Sequence, residues 1–202
     1  SIRNLVIAAD TPTGHITLVN GLSLEASKDS ITALVGESGC GKSMTALAIM
    51  GLLPPRVRIM SGEILLNGTR IDHLGEEEYL RYRGRKISMI FQEPMTSLNP
   101  LHTVGNQIAE VYRIHFGDSR GSAMEKAVAM LRKVRIPAPE KRAAQYPHQM
   151  SGGMRQRVMI AIALAASPEL LLADEPTTAL DVTIQAQILA LLRELIAEEK
   201  ET

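Results

Sequence analysis

The chain has 202 residues, 45% of them hydrophobic, enough for one domain with a sizeable core and room for an inserted subdomain. Lys+Arg and Asp+Glu number 22 each and aromatics make up 3% with no Trp, which argues against general attraction to nucleic acid or anionic lipid and against a base-stacking surface. The single cysteine, Cys40, excludes an internal disulfide and fits a reducing compartment.

In chain order, LVIAA (5–9), ITLV (16–19) and SITALV (30–35) read as strands. A glycine-rich stretch opens at Gly36, and a helix is expected from Ser43 to Leu53, where Pro54-Pro55 ends it. GEILLNGTRI (62–71) carries a hairpin signal, with Asn67-Gly68 suited to a tight primed turn, and KISMIF (86–91) is a further apolar strand ending at Gln92. Beyond it the pattern turns helical. IAEVYRIHF (108–116) has helical spacing, and Ser122-Ala123-Met124-Glu125 resembles a capping box opening a helix to Val134. A proline-containing connector (IPAPEK) leads to SGG and a long apolar helix reaching Ala166.

LLLAD (170–174) reads as a buried strand, and Asp181 is placed as the cap of a last amphipathic helix with Ile184, Ile188, Leu191, Leu192 and Leu195 on one face. The longest apolar run, Val158–Ala166, is about half of the ~20 residues a membrane helix needs, and no signal-peptide pattern opens the chain. A soluble chain is expected, meeting a membrane only through a partner. Strands and helices alternate at both ends around a helical insert, which predicts an α/β core with a helical subdomain.

Gly36-Glu37-Ser38-Gly39-Cys40-Gly41-Lys42-Ser43 fits G-x-x-x-x-G-K-S between an expected strand and an expected helix. Glycines let successive backbone N–H groups turn inward around a β-phosphate, and the helix N-terminus adds positive potential. Lys42 is expected to bridge β- and γ-phosphates and Ser43 to place its hydroxyl on Mg²⁺. Asp174 and Glu175 then gain counter-charges: Asp174 would accept from Mg²⁺-bound water or from Ser43, and Glu175 would face the space beyond the γ-phosphate, where it could orient and deprotonate an attacking water. A lone Asp-Glu pair would be read as a solvated helix start; the P-loop changes that reading.

Further motifs occur in a fixed order. Gln92 follows the KISMIF strand, Ser151-Gly152-Gly153-Met154-Arg155-Gln156 opens a helix, and Thr178-Ala179-Leu180-Asp181 follows the acids. Together they resemble the Q-loop, signature and D-loop of ATP-binding-cassette (ABC) ATPases, over nearly the whole chain. The resemblance implies a P-loop NTPase core with an N-terminal antiparallel β region and an inserted helical subdomain. It divides the chain into 1–92, 93–167 and 168–202, a single domain that stops short of the family's C-terminal strands. It implies ATP and Mg²⁺ as cofactors, with Gly36 to Ser43 and Met44 on the nucleotide. Ser43, Gln92 and Asp174 would be the metal ligands, and Glu175, Gln92 and Lys42 the catalytic side chains.

It also implies a head-to-tail dimer with a second ABC ATPase subunit, identical or homologous. Ser151, Gly152 and Gly153 would serve the partner's ATP, with Asp181 contributing from the D-loop. An SGG helix start suits a γ-phosphate, and a second such start in one chain is explained if it serves the partner.

GESGCGKSMTALAIMGLLP, FQEPMTSLNPLHTVG and QYPHQMSGGMRQRVMIAIAL resemble the ATPase subunits of bacterial peptide- and nickel-importing ABC transporters, in which Met at the position of Met154 is usual. The implied partners are integral membrane permeases docked on the helical insert, and indirectly a substrate-binding protein. No nucleic acid is implied. The implied location is the cytoplasmic face of the cell membrane.

Adenine usually stacks on an aromatic residue upstream of the P-loop, yet none precedes Tyr79. His15 and an apolar Ile/Val slot remain as alternatives, the slot favoured, and weak base discrimination is expected. That absence, with ALVGESG, SGEILLNG and NPLHT, leans toward nickel over peptide. Cys40 reads as a small residue tolerated in a tight loop ahead of a redox target, and His73, His102, His115 and His148 lack metal-ligand spacing. The family's switch histidine is not in the chain, so nucleotide binding is expected to survive better than hydrolysis; the alternative function is a truncated nucleotide-binding module with little turnover.

Overall fold

A computed structural model describes residues 1–92, 97–176 and 182–199. The chain divides into two compact units, Ser1–Arg81 and Tyr82–Thr202.

The first unit is built on an antiparallel sheet in the order β2-β1-β3-β4: β1 (Ile2–Thr11), β2 (Gly14–Leu24), β3 (Val57–Leu66) and β4 (Thr69–Arg70). LVIAA and ITLV lie inside β1 and β2, as their β-branched content predicts. β1 pairs with β2 through Ala9↔Ile16 and with β3 through Ile7↔Ile59, and bulges interrupt both ladders. The hairpin after β3 turns at Asn67 (φ 48°) and Gly68 (φ 78°), the left-handed pair that a primed turn requires. Leu5, Ile7, Ile64 and Ile71 are buried in this unit.

Just past the hairpin Asp72 accepts from the Ile64 N–H at 2.8 Å and from Arg70 Nη2 at 2.9 Å. Burial works to raise the Asp72 carboxyl, but hydrogen bonds from the Arg70 guanidinium and the Ile64 N–H outweigh it and hold it below the ordinary carboxylate range. Helix α1 (Lys42–Met50) ends at Gly51 in a left-handed cap whose N–H reaches back to Ala48 and Leu47 oxygens, a turn earlier than Leu53. A short α2 (Glu76–Tyr79) follows.

One expected strand does not form. Residues 30–35 adopt no regular secondary structure; Ile31 is 65% and Val35 89% exposed. Local β-propensity favours a strand but does not suffice for one, because the ladder must come from another chain segment.

In the second unit β5 (Ile87–Ile90) and β6 (Leu170–Ala173) form a parallel pair with the register Ile87↔Leu170 through Ile90↔Ala173. Every residue of β5 is buried, whereas β6 is only half-buried, with Ala173 exposed, so LLLAD is not the fully buried strand its composition predicts. β6 is paired along one edge only among the described residues.

The helices are α3 (Val104–Phe116), α4 (Arg120–Lys133), α5 (Pro139–Ala143), α6 (Gly152–Leu164) and α7 (Val182–Glu199), with a 3₁₀ turn at Pro147–Gln149. Val104, Ile108, Leu131, Val158, Ile160 and Ile188 make the core with Ile90, so the strand that leads to Gln92 is anchored in the helical packing. The expected apolar face of the last helix is present: Ile188, Leu191, Leu192 and Leu195 are buried, with Ile184 packed against them.

The capping box at Ser122 does not open its helix. Ser119 is the cap, its side chain accepting from the Ser122 N–H at 3.3 Å, and Ser122 lies within α4. The IPAPEK connector holds the short α5, which begins at Pro139 as its fixed φ favours.

Candidate functional site

The expected site residues fall in both units, and each group is built by a different device. In the first unit the loop 36–41 folds upon itself. The Cys40 N–H donates to Glu37 O at 3.3 Å, and Cys40 Sγ lies over Gly36, where an added Cβ would be 2.6 Å from the sulfur. Gly41 has φ 94°, and a Cβ there would stand 2.7 Å from both Leu18 O and Val19 Cγ2, so the loop reaches α1 by a path that a larger residue cannot follow. The first turn of α1 is braced by the Thr45 hydroxyl, which donates to Gly41 O at 2.9 Å and is buried.

Lys42 Nζ donates to Gly36 O and Glu37 O, both at 2.9 Å, which turns its ammonium back over the mouth of the loop. Gly39 and Gly41 at positive φ, an ammonium held over them and a helix N-terminus directly behind make the kind of backbone arrangement that favours an anion. The residues present therefore fit a nucleotide phosphate. Glu37, Ser38 and Cys40 are exposed on this loop, and Ser43 and Met44 are half-buried at the helix start.

In the second unit the carboxylates follow β6. The Asp174 N–H donates to Ile90 O at 3.0 Å, extending the parallel ladder one step past Ala173. Glu175 has φ 44°, a left-handed conformation costing a non-glycine residue roughly 1–2 kcal/mol, and such conformations cluster at functional sites. Across the strand pair, Gln92 Nε2 donates to Glu175 Oε2 at 3.1 Å. Asp174 offers a hard oxygen of the kind Mg²⁺ prefers, and the Gln92 carboxamide offers another.

The signature stretch Ser151–Gly153 opens α6. The Ser151 hydroxyl caps it by accepting from Met154 N–H at 3.4 Å, so SGG is the helix start its sequence predicts. A Cβ on Gly153 would meet Ile184 Cγ2 of α7 at 3.3 Å, so the turn is closed by aliphatic packing from the last helix. Asp181, the D-loop and the expected cap of α7 lie outside the described residues, as do positions 93–96 after Gln92.

Of the two adenine alternatives, His15 has its Nδ1 2.7 Å from Asp10 Oδ1, across the β1–β2 pair, a contact in the ring plane that leaves the ring faces open, and the same carboxylate meets Arg58 at 3.3 Å. Residues that the motifs do not reveal also shape the site. Leu18 and Val19 lie under Gly41, Thr45 braces it and Ile184 lies under Gly153; none carries a polar signature, except that Thr45 falls one turn after a glycine.

The ABC transporter family profile matches residues 19–178. The chain is 57% identical over 178 residues to the probable peptide ABC transporter ATP-binding protein y4tR of Sinorhizobium fredii, covering 88% of this chain and 53% of the relative. It is 51% identical to the oligopeptide transport ATP-binding protein OppD of Escherichia coli over 98% of this chain and 58% of the relative. It is 50% identical to the dipeptide transport ATP-binding protein DppD of Bacillus subtilis, over 96% and 58%. The chain thus spans a little over half the length of the curated relatives it matches. Among solved structures, a dimeric post-hydrolysis state of the ATP-binding cassette MJ0796 bound to ADP and Pi aligns with a TM-score of 0.86 and 28% identity, covering 98% of this chain and 83% of that one.

Proposed function

Because the chain belongs to the ABC transporter family of ATPases, we propose that it is the ATP-hydrolysing part of a bacterial peptide importer, paired head to tail with a second cassette and docked on membrane permeases. The observation that carries the reading is the phosphate loop: left-handed glycines, the inward Lys42 ammonium and the N-terminus of α1 occur together in one loop. Bound ATP with Mg²⁺ supplies the γ-phosphoryl group that water displaces.

Gly36 to Ser43 cradle the phosphates and Lys42 neutralises them. In this reading Ser43, Asp174 and Gln92 would hold the metal, and Glu175 would take the proton of the attacking water. Ser151, Gly152 and Gly153 present the capped start of α6 to the partner's nucleotide, and the dimeric MJ0796 cassettes support an assembly of that kind. Asp181 is assigned to the same interface.

Peptide is favoured over nickel as the cargo because the relatives named above are peptide transport proteins. Leu101, 82% exposed, and Ile114, 69% exposed, leave apolar surface on the helical part suited to a permease. No helix among the described residues is long and apolar enough to cross a membrane; attachment at the inner face through the permease is part of the proposal.

Phosphate release from Mg²⁺-ATP tests the reading. Glu175→Gln is expected to slow it by about 10²–10⁴-fold with nucleotide affinity retained, as removal of a general base does. Equal rates in the two proteins would remove Glu175 from the role. Tight binding with negligible turnover in the unaltered chain would favour the nucleotide-binding module instead.

A further inference from the structure

Parallel strands β5 and β6 end in register, Ile90 opposite Ala173, and the Asp174 N–H to Ile90 O bond carries the pairing one residue further. Gln92 and Glu175 each stand two positions beyond that last pair, so the two chains leave the sheet side by side. Their side chains meet there, Gln92 Nε2 on Glu175 Oε2 at 3.1 Å. We infer that Gln92 is a positioning residue for the general base: its amide N–H₂ fixes the Glu175 carboxylate while its amide oxygen serves the metal. The inference rests on the function proposed above.

The chemistry of a carboxamide makes the two tasks compatible. Gln presents one oxygen acceptor and one N–H₂ donor on the same rigid plane, so one side chain can ligate a hard cation through oxygen and hold an anion through nitrogen. A donor to an ionised carboxylate makes a charge-assisted hydrogen bond, stronger than a neutral pair. A carboxylate has about four lone-pair sites, so a bond at Oε2 does not consume its capacity to accept a proton from water. Glu175 needs such a constraint because its backbone is left-handed at φ 44°, turned away from the extended path of β6. Register brings the two residues together, and the amide orients the carboxylate. A glutamate in place of Gln92 would keep the oxygen for metal but oppose Glu175 with a second negative charge.

The test is a double-mutant cycle with two readouts, hydrolysis and unfolding. Gln92→Glu is expected to lower kcat by about 10²-fold while Mg²⁺-ATP affinity is unchanged or tighter, and to have less than about a threefold effect in a Glu175→Gln background, as residues acting as a unit do. Without nucleotide, Gln92→Glu should lower the denaturant midpoint. The reciprocal pair Gln92→Glu with Glu175→Gln should recover it, since donor and acceptor are merely exchanged. Gln92→Asn, one methylene shorter, provides a milder variant that should lower kcat and, by withdrawing the amide oxygen from the metal, weaken Mg²⁺-ATP binding modestly.

Equal fold-losses in both backgrounds, or no recovery of the midpoint in the reciprocal pair, would overturn the assignment. Absence of any ATP hydrolysis would sink the proposed function and leave the unfolding cycle to decide the pairing.

Discussion

The loop at Gly36–Ser43 reads as a motif by itself, whereas Gln92 and Glu175 gain their reading from it, and the two groups are held in different ways. The loop is fixed by its own backbone: two left-handed glycines, a lysine bonded to the loop's carbonyls and a threonine behind them. The residues before it, 30–35, take no part in a sheet. The carboxylate end is fixed from outside, by a four-residue register against β5, which is itself buried in the helical core. The proposed phosphate cradle draws mostly on its own backbone, with Leu18 and Val19 beneath it, whereas the proposed base is placed by long-range pairing alone.

That contrast can be broken or sharpened at chosen positions. The largest effect is expected at Ile90, fully buried behind Gln92: Ile90→Ala should cost about 2–5 kcal/mol in chemical denaturation, while Val35→Ser ahead of the loop should stay within about 0.5 kcal/mol. Similar costs at the two positions would refute the contrast. Next comes Gly41→Ala, which forces a left-handed alanine and a Cβ against Leu18 O; a loss of at least ~1–2 kcal/mol is expected, together with weaker nucleotide binding in calorimetry.

A smaller effect separates the two serines of α4. Ser119→Ala should cost about 1 kcal/mol in thermal unfolding and Ser122→Ala close to nothing, and the reverse order would restore Ser122 as the cap.

The smallest is a pH effect at His115, where burial, and then the Arg85 charge, hold the imidazole below its ordinary value of 6.5. A lowered folded value means the unfolded chain binds the proton more readily. The stabilisation is therefore full above that ordinary value and is lost as pH falls through the folded one. His115→Gln should flatten the fall of the denaturant midpoint on acidification; an unchanged slope would dismiss the effect.

Much of this was legible in the residues. LVIAA, ITLV, the Asn67-Gly68 turn, KISMIF and the 3.6-residue face of Ile188 to Leu195 all specify themselves through local patterning. SITALV has the same composition as a strand, but composition cannot supply a ladder partner. Ser122 has the spacing of a capping box, but the extended backbone that makes a cap belongs to Ser119, at φ −62° and ψ 158°. The site divides along the same line. Glycine, lysine and acid positions are readable, while the Leu18, Val19 and Ile184 supports and the Gln92–Glu175 contact arise between segments far apart in sequence.

The register of β5 against β6 has a consequence for how this gene can vary. Distance along the chain is counted in residues, so inserting or deleting a single codon between Ala173 and Glu175 puts the acid out of step with the β5 register and separates it from Gln92. A conservative change of side chain leaves that count intact. Length is therefore constrained here as well as chemistry, and in-frame indels in this short interval should be poorly tolerated even where every side chain is kept.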